Sequence, residues 1–238
     1  MTIGINEPQR KAIRVAGFLY LLMVFTAPIG LMYVPSKLIV SGDATATADH
    51  IRTSESLIRI GIGSELIYPI IAVFLVMALY RLFKPVNENH AKLLVIWGAL
   101  VSVPITFLNV LNEIAALILV SGADYLSVFE RSQLDALAFL FVRLHDEGII
   151  IAAIFWGLWL FPFGILIIRS SFIPRLLGIL LFIAGSAHVI SSFTSLLLPP
   201  YEHVVDQFAM VLKMGEMPTV FWFIIKGLWP SGITERGK

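Results

Sequence analysis

Long apolar runs separated by short polar stretches are the dominant pattern along the chain. A helix needs about 20 apolar residues to cross the hydrocarbon core of a bilayer, and six runs reach that length. The predicted spans are residues 15–34, 60–80, 93–120, 148–168, 176–198 and 208–228. The pattern therefore predicts an all-α membrane protein, a six-helix transmembrane bundle that forms a single integral membrane domain over residues 1–238.

The composition agrees with this fold class. Hydrophobic residues make up 58% of the 238 residues and charged residues only 14%, whereas a soluble domain carries about 25% charged residues. The mean hydropathy is +0.89. Because the sequence has no cysteine, disulfides, thiolate metal sites and iron–sulfur clusters are excluded.

The connections between the spans differ in charge. The N-terminus, residues 81–92, residues 169–175 and the C-terminal end from Lys226 onward together hold eleven Lys and Arg and three acids. The opposite side, with the spans that touch it, holds six Lys and Arg and thirteen acids. Since positive charge accumulates in cytoplasmic connections, both termini are predicted to lie in the cytoplasm, and the even number of spans agrees.

The connections on the predicted outer side are long enough to hold short helices at the membrane interface. Asp43 or Thr45 is suited to cap one such helix, because both residue types favour N-cap positions. Ser132, followed three residues later by Asp135, resembles a capping box. A further helix is therefore predicted to begin near Ser132.

Four ionisable residues lie together at 143–147, in the sequence RLHDEG, between two apolar runs. Each such residue costs about 2.5–3.5 kcal/mol at the centre of a membrane helix. This cost favours a span over residues 148–168 rather than 134–154. Residues 134–144 are then predicted to form an amphipathic lead-in at the outer surface, with Gly148 as the boundary between that surface helix and the span.

The simplest interpretation of RLHDEG is a hydrated helix end. Arg143 is spaced to pair with Asp146 at i+3 and with Glu147 at i+4. His145 is then an interfacial histidine. The alternative is that RLHDEG forms the rim of a polar cavity.

Further polar residues fall inside the spans, and they favour the cavity. Asn109, Asn112 and Glu113 share one helix face, because they are spaced i, i+3 and i+4. A rise of 1.5 Å per residue puts the deeper ionisable residues about 8–15 Å below the outer end of their spans. These residues are Glu65, Glu113, His188 and Glu216. Ionisable residues inside a membrane usually face a bundle interior or a water-filled cavity.

One outward-facing polar cavity explains why these residues all occupy the same half of the bilayer. Its predicted lining and rim are Glu65, Asn109, Asn112, Glu113, Arg143, His145, Glu147, His188 and Glu216. Each residue also has a structural alternative. Lys213 and Glu216 are spaced to pair with each other, and the asparagines are suited to hydrogen bonds between helices. His188 is close enough in sequence to bond Ser191 or Ser192.

Sequence motifs exclude several chemistries. There is no HExxH, no glycine-rich phosphate loop and no GxSxG. Haem-bearing bundles need paired histidines within their spans, and only His188 lies within one, so no resident cofactor is expected. The basic residues number two or three per cytoplasmic connection, which predicts no nucleic-acid partner. A metal site would need ligands from several helices, with His145 and His188 as the candidates.

Six segments along the chain carry a family resemblance. They are RVAGFLYLL, SKLIVSGDATATADHI, LYRLFKPVN, SGADYL, LHDEG and RSSFIPRLLGILLFIAG. In this order they resemble a family of small bacterial six-helix integral membrane proteins catalogued as a domain of unknown function. The resemblance implies a multi-pass protein of the bacterial cytoplasmic (inner) membrane and brings no catalytic residues. A comparison with membrane hydrolases related to alkaline ceramidase fails, because their HxxxH pattern is missing here.

These observations favour a non-enzymatic function. The expected partners are the lipid bilayer and a small polar or amphiphilic ligand, which the cavity would bind, sense or transport. The first alternative is a membrane-embedded, metal-assisted hydrolase acting on a lipid head group, with His145 and His188 as metal ligands and Glu113 as the base. The second alternative is a structural protein, in which the polar residues only join helices.

Overall fold

The computed structural model describes residues 7–228. Within that range, six helices are long and apolar enough to cross a membrane. They run over Glu7–Leu38, Glu55–Phe83, Glu88–Val120, Arg131–Arg169, Arg175–Leu197 and Pro199–Leu228. The predicted fold class is confirmed, and the chain is a multi-pass membrane protein. The cytoplasmic location of the termini stays a prediction, and the tail charges Arg236 and Lys238 lie outside the described residues.

Four of the six spans combine shorter helical elements, whereas Glu55–Phe83 and Arg175–Leu197 are single helices. The α-helices are α1 (Glu7–Pro28), α2 (Val34–Leu38), α3 (Ala44–Thr53), α4 (Glu55–Phe83), α5 (Glu88–Val95), α6 (Ser102–Val120), α7 (Arg131–Leu158), α8 (Leu160–Arg169), α9 (Arg175–Leu197), α10 (Glu202–Lys213) and α11 (Met217–Leu228). Two π-helical segments, Ile29–Tyr33 and Ile96–Val101, lie within the first and third spans. Short 3₁₀ turns occupy Asp124–Leu126, Pro199–Tyr201 and Met214–Glu216.

Prolines account for the places where the spans depart from a regular α-helix. A proline has no N–H to donate to the carbonyl four residues before it, and its ring crowds that carbonyl. The centre of the π segment Ile29–Tyr33 is four residues before Pro35. The π segment Ile96–Val101 contains the residue that is four positions before Pro104. The break after Leu158 stands four residues before Pro162, and the 3₁₀ turn Met214–Glu216 begins four residues before Pro218.

Two helices, α3 and α7, begin in the connections between spans where the sequence predicts helix starts. Asp43 is the N-cap of α3, where its side chain accepts from the backbone N–H of Ala46 at 2.8 Å, as predicted. Helix α7 begins at Arg131, but the predicted capping box is wrong. The Gln133 side chain accepts from the Glu130 N–H at 2.9 Å, because Asp135 is turned inward to an arginine.

The span with RLHDEG differs most from its prediction. Helix α7 runs without interruption from Arg131 to Leu158, so Gly148 does not separate a surface helix from a span. At a rise of about 1.5 Å per residue such a helix is about 42 Å long, which exceeds the hydrocarbon core of about 30 Å. The break that composition placed at Gly148 occurs instead beside Pro162. That RLHDEG lies at the outer end of the span stays a prediction.

Contacts group the chain into two compact units, and each is assembled from separate segments. The first unit comprises the described parts of Met1–Met23, Ile71–Val103 and Ile150–Lys238. The second comprises Val24–Ile70 and Pro104–Ile149. Whether the chain acts as the single membrane domain predicted from the sequence stays a prediction.

The first unit has a large apolar core centred on aromatic rings. Phe83, Phe163 and Phe223 are fully buried, and Phe163 lies within 6.1 Å of both other rings, centroid to centroid. Glycines bring α8 against α9. A Cβ at Gly164 would lie 2.7 Å from the carbonyl oxygen of Gly178, and one at Gly178 would lie 2.7 Å from that of Gly164. Small residues at such crossings let membrane helices approach closely.

The second unit combines a small apolar core with a charged cluster. Val34, Ile51 and Ala138 belong to this core and are almost fully buried. Beside them, Asp135 at the start of α7 is buried and receives the guanidinium of Arg52 from α3 at 2.7 Å. Asp49 accepts from Arg52 and also from Arg131, the latter at 2.8 Å. We call Asp49, Arg52, Arg131 and Asp135 the charged clip, because these residues join α3 to the start of α7.

Candidate functional site

Three ionisable side chains from three helices converge inside the second unit. Glu65 comes from α4, Glu113 from α6 and His145 from α7. The three residues are 0%, 7% and 5% exposed, respectively. One carboxylate or imidazole ligand atom from each lies within 4.8 Å of those from the other two. We call Glu65, Glu113 and His145 the buried triad.

Hydrogen bonding within the buried triad is incomplete. His145 Nε2 lies 3.0 Å from Glu65 Oε2, so the two groups share a proton in one of the tautomers or charge states of the ring. Glu65 Oε1 and Glu113 Oε2 are buried without a hydrogen-bond partner. Buried polar atoms in native proteins are nearly always paired. The two oxygens therefore distinguish the buried triad from the charged clip, in which the buried carboxylate of Asp135 is paired with Arg52.

Asn109 and Asn112 hold the helices of the triad in register. The Asn109 Nδ2 donates to the backbone carbonyl of His145 at 3.0 Å. Asn112 Nδ2 in turn donates to Asn109 Oδ1 at 3.1 Å. Asn109, Asn112 and Glu113 thus share one face of α6, as predicted. Asn109 bonds to α7 and Asn112 bonds to Asn109, while Glu113 faces Glu65 and His145.

A glycine on α7 makes this arrangement sterically feasible. Gly148 lies one turn after His145, and a methyl group added there would overlap the side-chain amide of Asn109. The absence of a side chain lets α6 and α7 approach closely at the level of the triad. Gly148 therefore has a packing role in the site instead of the boundary role that the sequence predicted.

The first span is fixed against Glu65 through a serine. Ser64 Oγ donates to the carbonyl of Thr26 and accepts from the N–H of Gly30 at 3.2 Å. In a regular α-helix the Gly30 N–H would bond that carbonyl directly, so the hydroxyl is inserted into the helix where the π segment begins. A Cβ at Gly30 would lie 2.6 Å from Glu65 Cγ, which requires glycine there. π segments are frequent at functional sites.

The remaining charges of RLHDEG pair with one another. Arg143 lies 3.4 Å from Asp146 and 3.6 Å from Glu147, and all three side chains are partly exposed. This pairing is the one predicted from their spacing. His145 is not part of a hydrated helix end, because this ring is buried against Glu65; its depth in the bilayer stays a prediction.

Two predicted cavity residues, His188 and Glu216, belong to the first unit and have other neighbours. His188 Nδ1 is buried without a partner, and Ser191, its expected partner, instead donates to Asp206. The expected pair of Lys213 with Glu216 is also not formed, since Lys213 Nζ donates to Ser191 Oγ at 2.8 Å and lies 3.6 Å from Asp206. That all the acids line one cavity stays a prediction.

The candidate metal ligands inferred from the sequence must be corrected. Among the described residues, the group of three or more potential ligands that lies close enough to share an ion is Glu65, Glu113 and His145. His188 is not a member of that group. His145 therefore remains a candidate ligand, but its partners are two carboxylates and not a second imidazole.

An apolar groove of about 470 Å³ lies between α9 and α10 in the first unit. Phe182, Ile190 and Phe208 are among its lining residues, and polar atoms contribute little of its surface. Its lining suits lipid chains and not a polar solute. The groove is therefore not the polar cavity predicted from the sequence.

Some residues of the site were not identified as such from the sequence. Ser64 was visible as a neighbour of Glu65, but its insertion beside Gly30 depends on the packing of two spans. Gly148 carried a usable signal, because it is spaced i+3 from His145 and so shares its helix face. The charged clip involves pairs about eighty positions apart, for which spacing along the chain gives no signal.

Comparison with known proteins identifies the family but assigns no activity. The profile of a domain of unknown function, DUF4386, matches residues 15–227. The chain is also 25% identical, over 173 residues, to an uncharacterized protein of Archaeoglobus fulgidus, an alignment that covers 68% of this chain and 85% of the relative. No solved structure matches the chain. Because the profile spans nearly the whole chain, the protein belongs to the DUF4386 family.

Proposed function

We propose that the protein binds a small cationic solute at the buried triad, as a sensing or transport protein of the membrane. The observation that carries this proposal is the pair of unpartnered carboxylate oxygens, Glu65 Oε1 and Glu113 Oε2, in a site assembled from three spans. Ionisable residues inside membrane proteins commonly mark ion or substrate pathways.

Charge favours a cation over an anionic or neutral solute. The triad holds two carboxylates and one imidazole, and Arg143, two residues before His145 in α7, is paired with Asp146 and Glu147. Leaving buried carboxylate oxygens without a partner costs about 1–3 kcal/mol each, and more when they are charged. A bound cation removes this cost, which supplies a driving force for binding.

A purely structural role explains this site less well. Polar residues that only join helices satisfy one another, as Asn109 and Asn112 do. Within the buried triad, however, one oxygen of each carboxylate has no such bond. If the role is structural, Glu113 stabilises the folded protein. If the site binds a cation, Glu113 destabilises the folded protein when no ligand is bound.

Thermal unfolding of the purified protein in detergent tests the proposal. The wild type, Glu113→Gln and the control Glu147→Gln are compared with separate additions of Na⁺, Mg²⁺, Ca²⁺, Mn²⁺, Zn²⁺ and choline. Occupancy at about 100 times the Kd adds about 2.7 kcal/mol, which raises Tm by about 5–10 °C in a chain of this size. We expect at least one cation to raise Tm in the wild type and in Glu147→Gln, but not in Glu113→Gln.

The unliganded variants give a second comparison. Without added cation, Tm of Glu113→Gln is expected to equal or exceed that of the wild type, because the amide removes a buried acid that lacks a partner. A structural role predicts a lower Tm for this variant. If every cation changes all three proteins equally, the buried triad does not bind a cationic solute.

A further inference from the structure

We infer that the ligand of the buried triad is a divalent first-row transition-metal ion, held by Glu65, Glu113 and His145. This inference rests on the proposed function and narrows its ligand from any small cation to one chemical class. Two independent observations support it. The three residues bring one ligand atom each into a common space, and one carboxylate oxygen of Glu65 and one of Glu113 are buried without a hydrogen-bond partner.

The donor set selects this class of ion. Imidazole nitrogen is a ligand for zinc, iron, copper and nickel. Ca²⁺ and Mg²⁺ prefer oxygen ligands, and Ca²⁺ takes six to eight of them. The triad offers one nitrogen and two carboxylates. Since the sequence contains no cysteine, the soft thiolate sites typical of Cu⁺ are excluded. Zn²⁺, Mn²⁺ and Fe²⁺ remain the best matches.

The spacing of the atoms fits ligands that share one ion. In a tetrahedral zinc site, bonds of about 2.1 Å separate any two ligand atoms by about 3.4 Å. His145 Nε2 and Glu65 Oε2 are 3.0 Å apart, the length of the hydrogen bond that an ion would replace. All three ligand atoms lie within 4.8 Å of one another, so side-chain adjustments of about 1 Å bring them to the tetrahedral separation.

The surroundings supply the support that metal ligands need. Asn109 fixes the backbone of His145, and Ser64 fixes α4 beside Glu65 through Thr26 and Gly30. Partners outside the ligand set orient the ligands and change metal affinity about 10- to 100-fold when removed. Three protein ligands leave coordination positions for water or a solute, as in catalytic and not in closed structural zinc sites.

Equilibrium metal binding tests the inference directly. The full-length protein is purified in detergent and stripped with a chelator, and Zn²⁺ affinity is then measured by competition with a chromophoric chelator. Mn²⁺ binding is followed in parallel by electron paramagnetic resonance. We expect one tight Zn²⁺ site per chain. The spectrum of bound Mn²⁺ should differ from that of the hydrated ion, and equimolar Zn²⁺ should restore the spectrum of the hydrated ion.

Matched variants assign the site. Glu65→Gln, Glu113→Gln and His145→Ala each change a direct ligand, so each is expected to weaken Zn²⁺ binding by more than the about 10- to 100-fold caused by loss of a partner outside the ligand set. Glu147→Gln and His203→Ala are the controls, because both residues are exposed to some degree and lie outside the triad. Glu113→Gln keeps the size of the side chain, so it remains decisive even if His145→Ala does not fold.

The outcomes separate this inference from the proposed function. Loss of the Zn²⁺ site in the triad variants, with retention in both controls, supports the transition-metal assignment. If only Na⁺, Ca²⁺ or choline stabilises the wild type through Glu113, the metal assignment is overturned while the proposed function stands. If Zn²⁺ binding is lost only in His203→Ala, the ion binds the surface and the assignment is overturned. If no cation binds, both proposals are overturned.

Discussion

The Gly148→Ala variant is expected to bind Zn²⁺ about 10- to 100-fold more weakly than the wild type, the range found for disturbed outer partners of metal ligands. The added methyl group would overlap the side-chain amide of Asn109. Asn109 must then rotate away, which breaks its bond to the carbonyl of His145, or α6 and α7 must separate. Overpacking of this kind costs about 1–3 kcal/mol, so Tm is expected to fall as well.

Gly63→Ala is the matched control for this substitution. Gly63 also lies in a helix that carries a triad residue, but no atom lies within 4 Å of a Cβ placed there. This variant is expected to keep Zn²⁺ affinity and to be equally or more stable, because alanine favours helix. Gly148→Ala should lower the free energy of unfolding less in the Asn109→Ala background than in the wild type. Equal losses in the two backgrounds would show that the two residues do not collide.

The Arg52→Ala variant is expected to lose about 3–5 kcal/mol of stability, the range for breaking a buried ion pair from one side. Asp135 is only 2% exposed, and its carboxylate would keep no cationic partner within the charged clip. For a chain of this length the loss corresponds to a fall in Tm of about 10 °C. Thermal unfolding in detergent measures it.

A second arginine provides the control for the charged clip. Arg59 pairs with Glu55 at 2.7 Å, but both side chains are about 60% exposed, and exposed pairs contribute about 0–1 kcal/mol. Arg59→Ala should therefore leave Tm nearly unchanged. Adding Asp135→Asn to Arg52→Ala should recover part of the loss, since the stranded charge is removed. Equal effects of Arg52→Ala and Arg59→Ala would contradict a buried role for Asp135.

The fold could be predicted from the sequence because the bilayer sets a strict length for each span. Six apolar runs of sufficient length identified six helices, and Asp43 marked the start of α3. The ends of the spans were less predictable. The structure extends the fourth helix back to Arg131, since charged residues on one face of a helix do not end it when they pair with each other.

The candidate site could be predicted only in part. Residues on one helix, such as Asn109, Asn112 and Glu113, were grouped correctly, because helical spacing alone places them on one face. Grouping residues from different helices requires knowledge of how each helix is rotated about its axis, and composition does not give that rotation. Sequence therefore offered Glu65 and Glu216 as equivalent acids, whereas the structure brings only Glu65 together with Glu113 and His145.

His145 shows that an insertion cost does not predict which charged residues are buried within the protein. The prediction assigned each ionisable residue of RLHDEG the penalty of an isolated side chain and placed all of them at the outer end of the span, and that placement stays a prediction. In the structure His145 is paired with Glu65, while Arg143 is paired with Asp146 and Glu147. Pairing lowers the cost of burial, so residues that are adjacent in sequence have different surroundings.

Anomalous diffraction from crystals grown with Zn²⁺ locates the bound ion without reference to activity. We expect an anomalous peak inside the second unit, about 2.0–2.2 Å from ligand atoms of Glu65, Glu113 and His145. The same peak should be absent from crystals of Glu113→Gln. Peaks confined to exposed histidines such as His50 and His203, with none at the buried triad, would show that the buried triad is not a metal site.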